Sequence, residues 1–300
     1  MKKRIKISLL FIAVVIISGT LCGCAGNNRT AVSREASSVL SSEPVSSDAP
    51  ESVSSVEPVS EPVSSTASSK PPPTSAVPQP PPPPQKLNGA IPVFMYHCVS
   101  DNVWGIRGLF VSPKSMDEQL KYLSDNGYTA VTFEDFPVPE DIKNPVMLTF
   151  DDGYRDNYTD LFPILKKHNM KVSIFLITGS VGGDLYLTEE QIAEMQASGL
   201  VSFQSHTATH PDLTKCGADN LEHELADSAK AIEGFTGIAP IALVYPTGAH
   251  NDAVVNAAAR HYKYALTVQN GLFKHGDDPY RISRRRVSRD TGLDAFVKML

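Results

Sequence analysis

Two adjacent carboxylates follow an apolar stretch in the sequence VMLTFDDGYRDN, residues 146–157. Asp151 and Asp152 repel each other, and at the end of a buried strand that repulsion is poorly screened. Either both side chains reach water, or a positive group lies beside them. A pair of aspartates before a glycine is often only a solvated turn, so this stretch alone does not identify a site.

Two histidines form a second group of candidates. His206 and His210 lie in the sequence SHTATH, and if this stretch is a helical turn, the i,i+4 spacing puts both imidazoles on one face. Two imidazoles and a carboxylate are a usual ligand set for catalytic zinc, with bonds of about 2.0–2.2 Å and one position open to water. A divalent cation would offset the repulsion between Asp151 and Asp152, with one aspartate as a ligand and the other as a base. An HxxxH pair alone is more often structural.

Strand-like and helix-like stretches alternate along the C-terminal two thirds of the chain. The helical stretches carry start signals, such as Ser112 before Pro113 and a capping box of Thr188 with Gln191. The alternation predicts a parallel sheet covered by helices, which is either a doubly wound sheet or a β/α barrel. In both folds chemistry gathers at the carboxyl ends of the strands, where the aspartates and histidines fall. The predicted strands are residues 90–96, 129–133, 145–150, 171–177, 200–206, 239–246 and 263–268.

The combination of TFDDG with the later HTATH resembles the polysaccharide deacetylase family, the NodB-homology carbohydrate esterases. The resemblance covers about residues 90–300. It implies a distorted (β/α) barrel and a metal-dependent hydrolase that removes N- or O-acetyl groups from polysaccharides. It also implies that Asp151 is the general base and that Asp152, His206 and His210 bind the metal. Zinc is expected, although such a ligand set also accepts cobalt or nickel.

The third motif of this family, Arg-x-Pro-Tyr, is altered in this sequence. The corresponding stretch is VYPTG, in which Val244 replaces the arginine that orients the base and Thr247 replaces the tyrosine. Because the family uses a backbone N–H at this point to hold the oxyanion, the Thr247 N–H is expected to keep that role. The YPxG pattern is similar to the branch that deacetylates poly-N-acetylglucosamine. The arginine that normally orients the base, and so sets its protonation, is therefore missing beside Asp151 at this position.

The last family motif, Leu-x-His, would supply the general acid, and no match is found near the C-terminus. The sequence PVFMYHCV, residues 92–99, resembles the first strand of the same exopolysaccharide branch, in which this histidine takes the acid position. His97 is therefore the predicted general acid. The alternative is a hydrogen-bonded core histidine beside Tyr96.

The N-terminal region predicts export and a tether. Residues 1–24 combine a basic start, a short apolar run and the sequence LCGC, which resembles a lipoprotein signal with Cys24 as the lipidated residue. An uncleaved membrane helix is the alternative, and both place the remaining chain outside the cytoplasm, anchored at the outer face of a bacterial cell membrane. Residues 25–88 are rich in Ser, Pro and Glu, and this composition predicts a disordered linker before a domain at 89–300.

Composition restricts the partners. A net charge of −6 gives no general argument for nucleic acid, and the basic run RISRRRVSR, residues 281–289, is predicted to be a solvated or carboxylate-paired strand face. Cys98 and Cys216 could pair or stay free. The expected partner is an acetylated polysaccharide, and the leading prediction is a lipid-anchored N-deacetylase of poly-N-acetylglucosamine, peptidoglycan or a chitin-like polymer. The alternatives are an O-deacetylase of xylan-like polymers and a non-catalytic glycan-binding lipoprotein.

Overall fold

The computed structural model describes residues 89–300, apart from residues 137, 139, 140 and 275. The predicted signal peptide 1–24, its lipid site Cys24 and the predicted linker 25–88 lie outside the described residues. Within the described residues, the helices are too short or too polar to cross a membrane. Cys98 and Cys216 are both free thiols.

Strands and helices alternate as the sequence predicts. The three longest strands, residues 145–150, 172–176 and 201–205, are buried along nearly all of their length, as expected for a parallel sheet covered on both faces. The strands are β1 (Val93–Tyr96), β2 (Cys98–Val99), β3 (Phe110–Val111), β4 (Thr129–Ala130), β5 (Pro145–Phe150), β6 (Val172–Leu176), β7 (Val201–Ser205), β8 (Ala242–Val244), β9 (Tyr264–Leu266) and β10 (Arg285–Arg286). The helices are α1 (Pro113–Asp125), α2 (Phe162–His168), α3 (Glu189–Ala197), α4 (Ala218–Thr236), α5 (Asp252–Ala258) and α6 (Leu293–Val297).

The main sheet is parallel throughout. Its strand order is β10-β1-β5-β6-β7-β8-β9, with β4 paired to the beginning of β5. The carboxyl ends of neighbouring strands therefore lie along one edge, and the residues after β1, β5, β7 and β8 are brought together there. This architecture confirms the predicted distorted (β/α) barrel.

One segment near the C-terminus links the two ends of the sheet. Ile282 exchanges backbone hydrogen bonds with β9, because its N–H donates to the Ala265 carbonyl and its own carbonyl accepts from Thr267. A few residues later, β10 pairs in parallel with β1, with Arg286 opposite Met95. The segment between these contacts crosses the gap where an open sheet would end, and it curls the sheet towards a closed barrel.

Local signals in the sequence account for the helices that cover the sheet. The Ser112 hydroxyl caps α1 by accepting from the Ser115 N–H at 3.0 Å, and Pro113 occupies the first helical position. Thr188 and Gln191 form the predicted capping box at the start of α3. The buried faces of α1, α2 and α3 share one apolar core with β5, β6 and β7. Close packing in this core thus fixes the positions of the strands whose carboxyl ends carry the polar residues.

Candidate active site

The register of β1 against β5 places His97 beside Asp151. Tyr96 lies opposite Phe150, and the Asp151 N–H donates to the Tyr96 carbonyl at 2.9 Å. Both residues follow directly on the ends of their strands. Asp151 is 2% exposed, so its carboxylate cannot be the solvated turn that the sequence alone allowed.

Asp152, His206 and His210 form a compact group of ligand atoms. The Asp152 Oδ1 atom lies 3.4 Å from Nε2 of His206 and 3.9 Å from Nε2 of His210, and the three ligand atoms all lie within 4.8 Å of one another. A tetrahedral ion with bonds of about 2.0–2.2 Å would separate its ligands by roughly 3.4 Å. The group therefore fits a zinc-sized ion after small side-chain movements.

The protonation of the histidines also suits a metal. The Nδ1 atom of His206 lies 2.9 Å from the Val244 carbonyl, which can only accept, so Nδ1 carries the proton and Nε2 keeps its lone pair. Burial lowers the pKa values of His206 and His210, so both rings are neutral near pH 7. Burial and the neighbouring Asp151 raise the pKa of Asp152, although the adjacent His206 opposes the shift. A divalent ion would relieve this penalty on the ionised carboxylate.

The segment that carries the two histidines is not the helical turn considered from the i,i+4 spacing. Thr207 and His210 have φ values of 69° and 62°, in the left-handed region. The turn is held by its own side chains, since the Thr207 hydroxyl accepts from the His210 N–H at 3.0 Å. Left-handed backbone is unfavourable for a β-branched residue and persists only where its surroundings enforce it. Asp152 is also left-handed, with φ 72°.

The positive group beside Asp151 is Arg284. Its Nη1 and Nη2 atoms donate to the two carboxylate oxygens of Asp151 at 2.7 and 2.8 Å. The guanidinium is fully buried, and it also donates to the Thr267 carbonyl and the Thr149 hydroxyl at 2.9 and 3.1 Å. Burial raises the pKa of Asp151, but the charge and hydrogen bonds of Arg284 outweigh this effect and hold the pKa at about 2. Asp151 is thus ionised at neutral pH.

The carboxylate pairing predicted for the basic run is confirmed at Arg284. The arginine does pair with a carboxylate, but it does so in the barrel interior and not on a solvated strand face. The family's arginine would stand at position 244, at the end of β8, whereas Arg284 reaches Asp151 from the segment just before β10. The sequence signal that could have found it is the period of two in a strand, which turns Arg284 and Arg286 to one side and Arg285 to the other.

His97 lies across Asp151 from Arg284. Its Nε2 atom is 3.9 Å from Oδ2 of Asp151, too far for a hydrogen bond, and its side chain is 14% exposed. Its backbone is fixed by Asn157, whose side-chain amide donates to the His97 carbonyl at 2.9 Å. Burial lowers the pKa of His97 to about 4 against the opposing charge of Asp151. The ring is therefore neutral in the free protein.

Thr247 lies in the turn after β8. Its φ is 57°, and none of the described backbone carbonyls accepts from its N–H. The side chain is exposed, and the residue lines the same pocket as Asp151 and His206. The backbone thus presents an unused donor to the pocket, as the predicted oxyanion role requires, but the role itself stays a prediction.

All six predicted site residues line one open pocket of about 550 Å³, a size typical of small-ligand sites. Aromatic and apolar residues complete the wall. Tyr154 and Tyr186 belong to this wall and stack with ring centroids 5.2 Å apart, and Trp104, outside the pocket lining, supports Tyr154 with ring centroids 5.0 Å apart. The pocket therefore combines a candidate metal site with an aromatic wall of the kind on which sugar rings pack.

Comparisons with known proteins agree with this arrangement. The sequence profile of the family described as polysaccharide deacetylase matches residues 139–265. The Bacillus subtilis (strain 168) protein YxkH, which carries the family's name, is 35% identical over 212 residues, or 69% of this chain and 74% of YxkH. The poly-beta-1,6-N-acetyl-D-glucosamine N-deacetylase of Staphylococcus epidermidis is 28% identical over 211 residues, which are 64% of this chain and 73% of that protein.

A solved structure shows the same fold. The crystal structure of a polysaccharide deacetylase from Bacillus cereus superposes with a TM-score of 0.68 and 35% identity, over 70% of this chain and 69% of that one. These findings confirm the resemblance inferred from TFDDG and HTATH. The chain belongs to the polysaccharide deacetylase family, whose members are hydrolases.

Proposed function

We propose that this protein is a metal-dependent N-deacetylase of a cell-surface or cell-wall polysaccharide built from N-acetylglucosamine. The observation that carries the proposal is the meeting, in one pocket, of the Asp152, His206 and His210 group with the ionised Asp151 held by Arg284. The activity named for the Staphylococcus epidermidis relative supports an N-acetylated glucosamine polymer as the substrate.

The neutral imidazoles of His206 and His210 and the carboxylate of Asp152 would hold the divalent ion, with zinc as the expected metal. When bound, such an ion supplies Lewis acidity and lowers the pKa of a coordinated water. The position of Asp152 in this group is set by its left-handed backbone, and that of His206 by the Val244 carbonyl. These constraints hold the ligand atoms in position in the absence of the ion.

Asp151 acts as the base that takes a proton from the attacking water. Arg284 keeps this carboxylate ionised and fixes its plane, so that one lone pair of an oxygen stays directed into the pocket. The N–H of Thr247 donates to the oxyanion that forms from the acetamide carbonyl. Because a backbone donor does not depend on the side chain, the replacement of the family's tyrosine leaves this role intact.

His97 gives a proton to the leaving amine. Since its pKa of about 4 leaves the ring neutral in the free protein, the proton must come from the reaction itself. Oδ2 of Asp151, which lies 3.9 Å from Nε2 of His97, is the nearest proton carrier and can deliver through a bridging water or the substrate. The products are acetate and a glucosamine unit.

We also propose that the protein works outside the cytoplasm, anchored to the outer face of the cell membrane by a lipid on Cys24. The support is the basic and apolar order of residues 1–24 and the sequence LCGC. A polysaccharide substrate outside the membrane agrees with this location.

Acetate release tests the proposed function. The protein is incubated with poly-N-acetylglucosamine oligomers, peptidoglycan and O-acetylated xylan, with zinc or with a chelator. We expect chelator-sensitive release from an N-acetylated polymer, about one metal ion per chain, and loss of activity in Asp151→Asn. His210→Ala should lose metal, whereas His223→Ala, on the exposed face of α4, should keep it.

Other outcomes would overturn parts of the proposal. Release from the xylan alone would make the protein an O-deacetylase. Release that a chelator does not reduce would contradict the metal dependence. A protein that binds no metal and releases no acetate from any polymer would instead be a non-catalytic glycan-binding protein.

A further inference from the structure

Arg286 differs from the other arginines of the described region. Every other arginine between residues 89 and 300 donates to a carboxylate or a backbone carbonyl, including its neighbours Arg284, Arg285 and Arg289. Among the described residues, no side chain or carbonyl pairs with Arg286. Its side chain is exposed, yet it lines the pocket of the candidate active site.

The strand geometry aims this guanidinium into the pocket. Arg284 directly precedes β10, and side chains alternate along an extended chain, so Arg286 points to the same side as Arg284 and lies nearer the carboxyl end of the strand. Arg284 reaches the floor of the pocket at Asp151, and Arg286 lies above it, beside Met95 of β1. A Cβ built on Gly108 would lie 3.7 Å from Nη2 of Arg286, so the guanidinium rests against the 107–109 turn.

The charges of the pocket leave Arg286 without a protein counterion. The charge of Asp151 is balanced by the bidentate contact of Arg284, and Asp152 belongs to the candidate metal group. In formal charge, the two aspartates balance the two arginines, so a bound divalent ion gives the pocket a positive excess. Such an excess attracts anions, and a planar guanidinium is suited to bind a carboxylate or a phosphate through two parallel hydrogen bonds.

We propose that Arg286 binds an anionic substituent, a carboxylate or a phosphate, carried by the polysaccharide next to the sugar that is deacetylated. This inference rests on the proposed function, because it names the class of polymer that the same pocket prefers. The preferred substrate is an acidic N-acetylated polymer and not a neutral one. The lowering effect of the Arg286 charge on the pKa of His97 agrees with a position close to the reacting groups.

The test is equilibrium binding of three N-acetylglucosamine oligomers of equal length to the zinc-loaded protein. One oligomer is neutral, one carries a lactyl carboxylate and one carries a phosphate monoester. All proteins carry His97→Ala, which removes the proposed proton donor to the leaving amine but keeps the pair of Asp151 and Arg284 intact. The oligomers are then not consumed, and the proteins are compared with and without Arg286→Gln or Arg286→Lys. The matched control is Arg281→Gln, which removes the same charge from an arginine that pairs with Asp252 and Asp278 away from the pocket.

We expect at least one acidic oligomer to bind about threefold to fivefold more tightly than the neutral one, the gain typical of one partly exposed ion pair. Arg286→Gln should abolish this preference, Arg286→Lys should keep part of it, and Arg281→Gln should keep all of it. The preference should also fall as salt is added. The anion that is favoured identifies the substituent.

Equal binding of the neutral and both acidic oligomers would overturn the inference. So would a preference that survives Arg286→Gln, or a loss of binding that is the same for all three oligomers. Acetate release from the neutral oligomer by the wild-type protein is measured separately. If that release occurs and the acidic preference is absent, the proposed function stands and only the role of Arg286 fails.

Discussion

Removing the charge of Arg284 should destabilise the protein more than removing both members of its ion pair. In Arg284→Met, the Asp151 carboxylate would stay 2% exposed after losing both of its guanidinium donors. An uncompensated charge in a buried position is strongly unfavourable, and breaking a buried pair from one side costs about 3–5 kcal/mol. In Asp151→Asn/Arg284→Met neither charge is left, so a large part of that cost should disappear.

The pKa of Asp151 gives a separate measure of the pair. A fall from the ordinary value of 3.8 to about 2 corresponds to roughly 2 kcal/mol of stability. Because the pKa in the folded state is the lower one, this contribution is complete above pH 3.8 and disappears as the pH falls through 2. The cost of Arg284→Met is larger, since the hydrogen bonds to Thr149 and Thr267 are also lost.

Urea and thermal unfolding of four proteins would measure the coupling: wild type, Arg284→Met, Asp151→Asn and the double variant. The measurements are made at pH 7 in a chelator, so that metal binding at Asp152 does not add to stability. Arg284→Met should lower the melting temperature by about 10 °C, from a shift of about 2–4 °C per kcal/mol for a domain of this size. Arg281→Met, at an exposed ion pair, should cost less than about 1 kcal/mol.

Two results would refute this reasoning. If the free energy of unfolding of Arg284→Met lies within about 1 kcal/mol of that of the wild type, the buried Asp151 carboxylate does not need the guanidinium for its stability. If the double variant is as unstable as the two single variants added together, the residues contribute independently and the ion pair carries no coupling energy.

Two further substitutions test the surroundings of the site. Gly179→Ala should weaken metal binding in a zinc titration, because its Cβ would lie 2.7 Å from the Ala208 carbonyl oxygen and push the histidine segment away. Gly234→Ala, where a Cβ meets no neighbouring atom, is the control and should leave metal affinity unchanged; equal affinities in both variants would contradict the argument. Asp156→Asn should stabilise the protein at pH 7 by roughly 1–3 kcal/mol but not at pH 4, measured by urea unfolding, because burial raises the pKa of Asp156 to about 6 and the ionised form is disfavoured above it. The asparagine oxygen can still accept from the Val99 N–H, so this hydrogen bond is kept in the variant. If the difference in unfolding free energy between the variant and the wild type does not increase from pH 4 to pH 7, this account is contradicted.

The sequence was sufficient to predict the fold and the place of the chemistry. The predicted strand 145–150 coincides with β5, and predicted strand 200–206 contains β7. Apolar, β-branched runs of this length are typical of strands that are buried on both faces of a sheet, and this can be read from the residue types alone. The rule that chemistry gathers at strand carboxyl ends then brings Asp152 and His206 together without knowledge of the structure.

The backbone of the histidine segment could not be predicted in the same way. The left-handed conformations of Thr207 and His210 are contrary to the local preferences of both residues. They are imposed by neighbours distant in the chain, since the carbonyls of Thr207 and Ala208 accept from the N–H groups of Thr178 and Gly179 after β6. A helical i,i+4 pattern and this turn both bring the two imidazoles together, so spacing alone does not distinguish them.

The buried arginine shows why a missing motif residue does not indicate a decayed site. In a barrel of parallel strands, the carboxyl ends of all strands lie along one rim, so a guanidinium can reach the same carboxylate from more than one segment of the chain. Val244 lacks the side chain that the family uses, but its carbonyl still orients His206. The positive charge beside Asp151 comes instead from Arg284, in the segment that bridges β9 and β1 in the sheet. This contact needs the segment that curls the sheet towards closure, which is a property of the tertiary fold. The period of two groups Arg284 with Arg286, but it does not say which side of the strand faces the barrel interior. Arg284 therefore supplies the contact to Asp151 that valine at position 244 cannot make, and the Arg284 variants test whether the site depends on this contact.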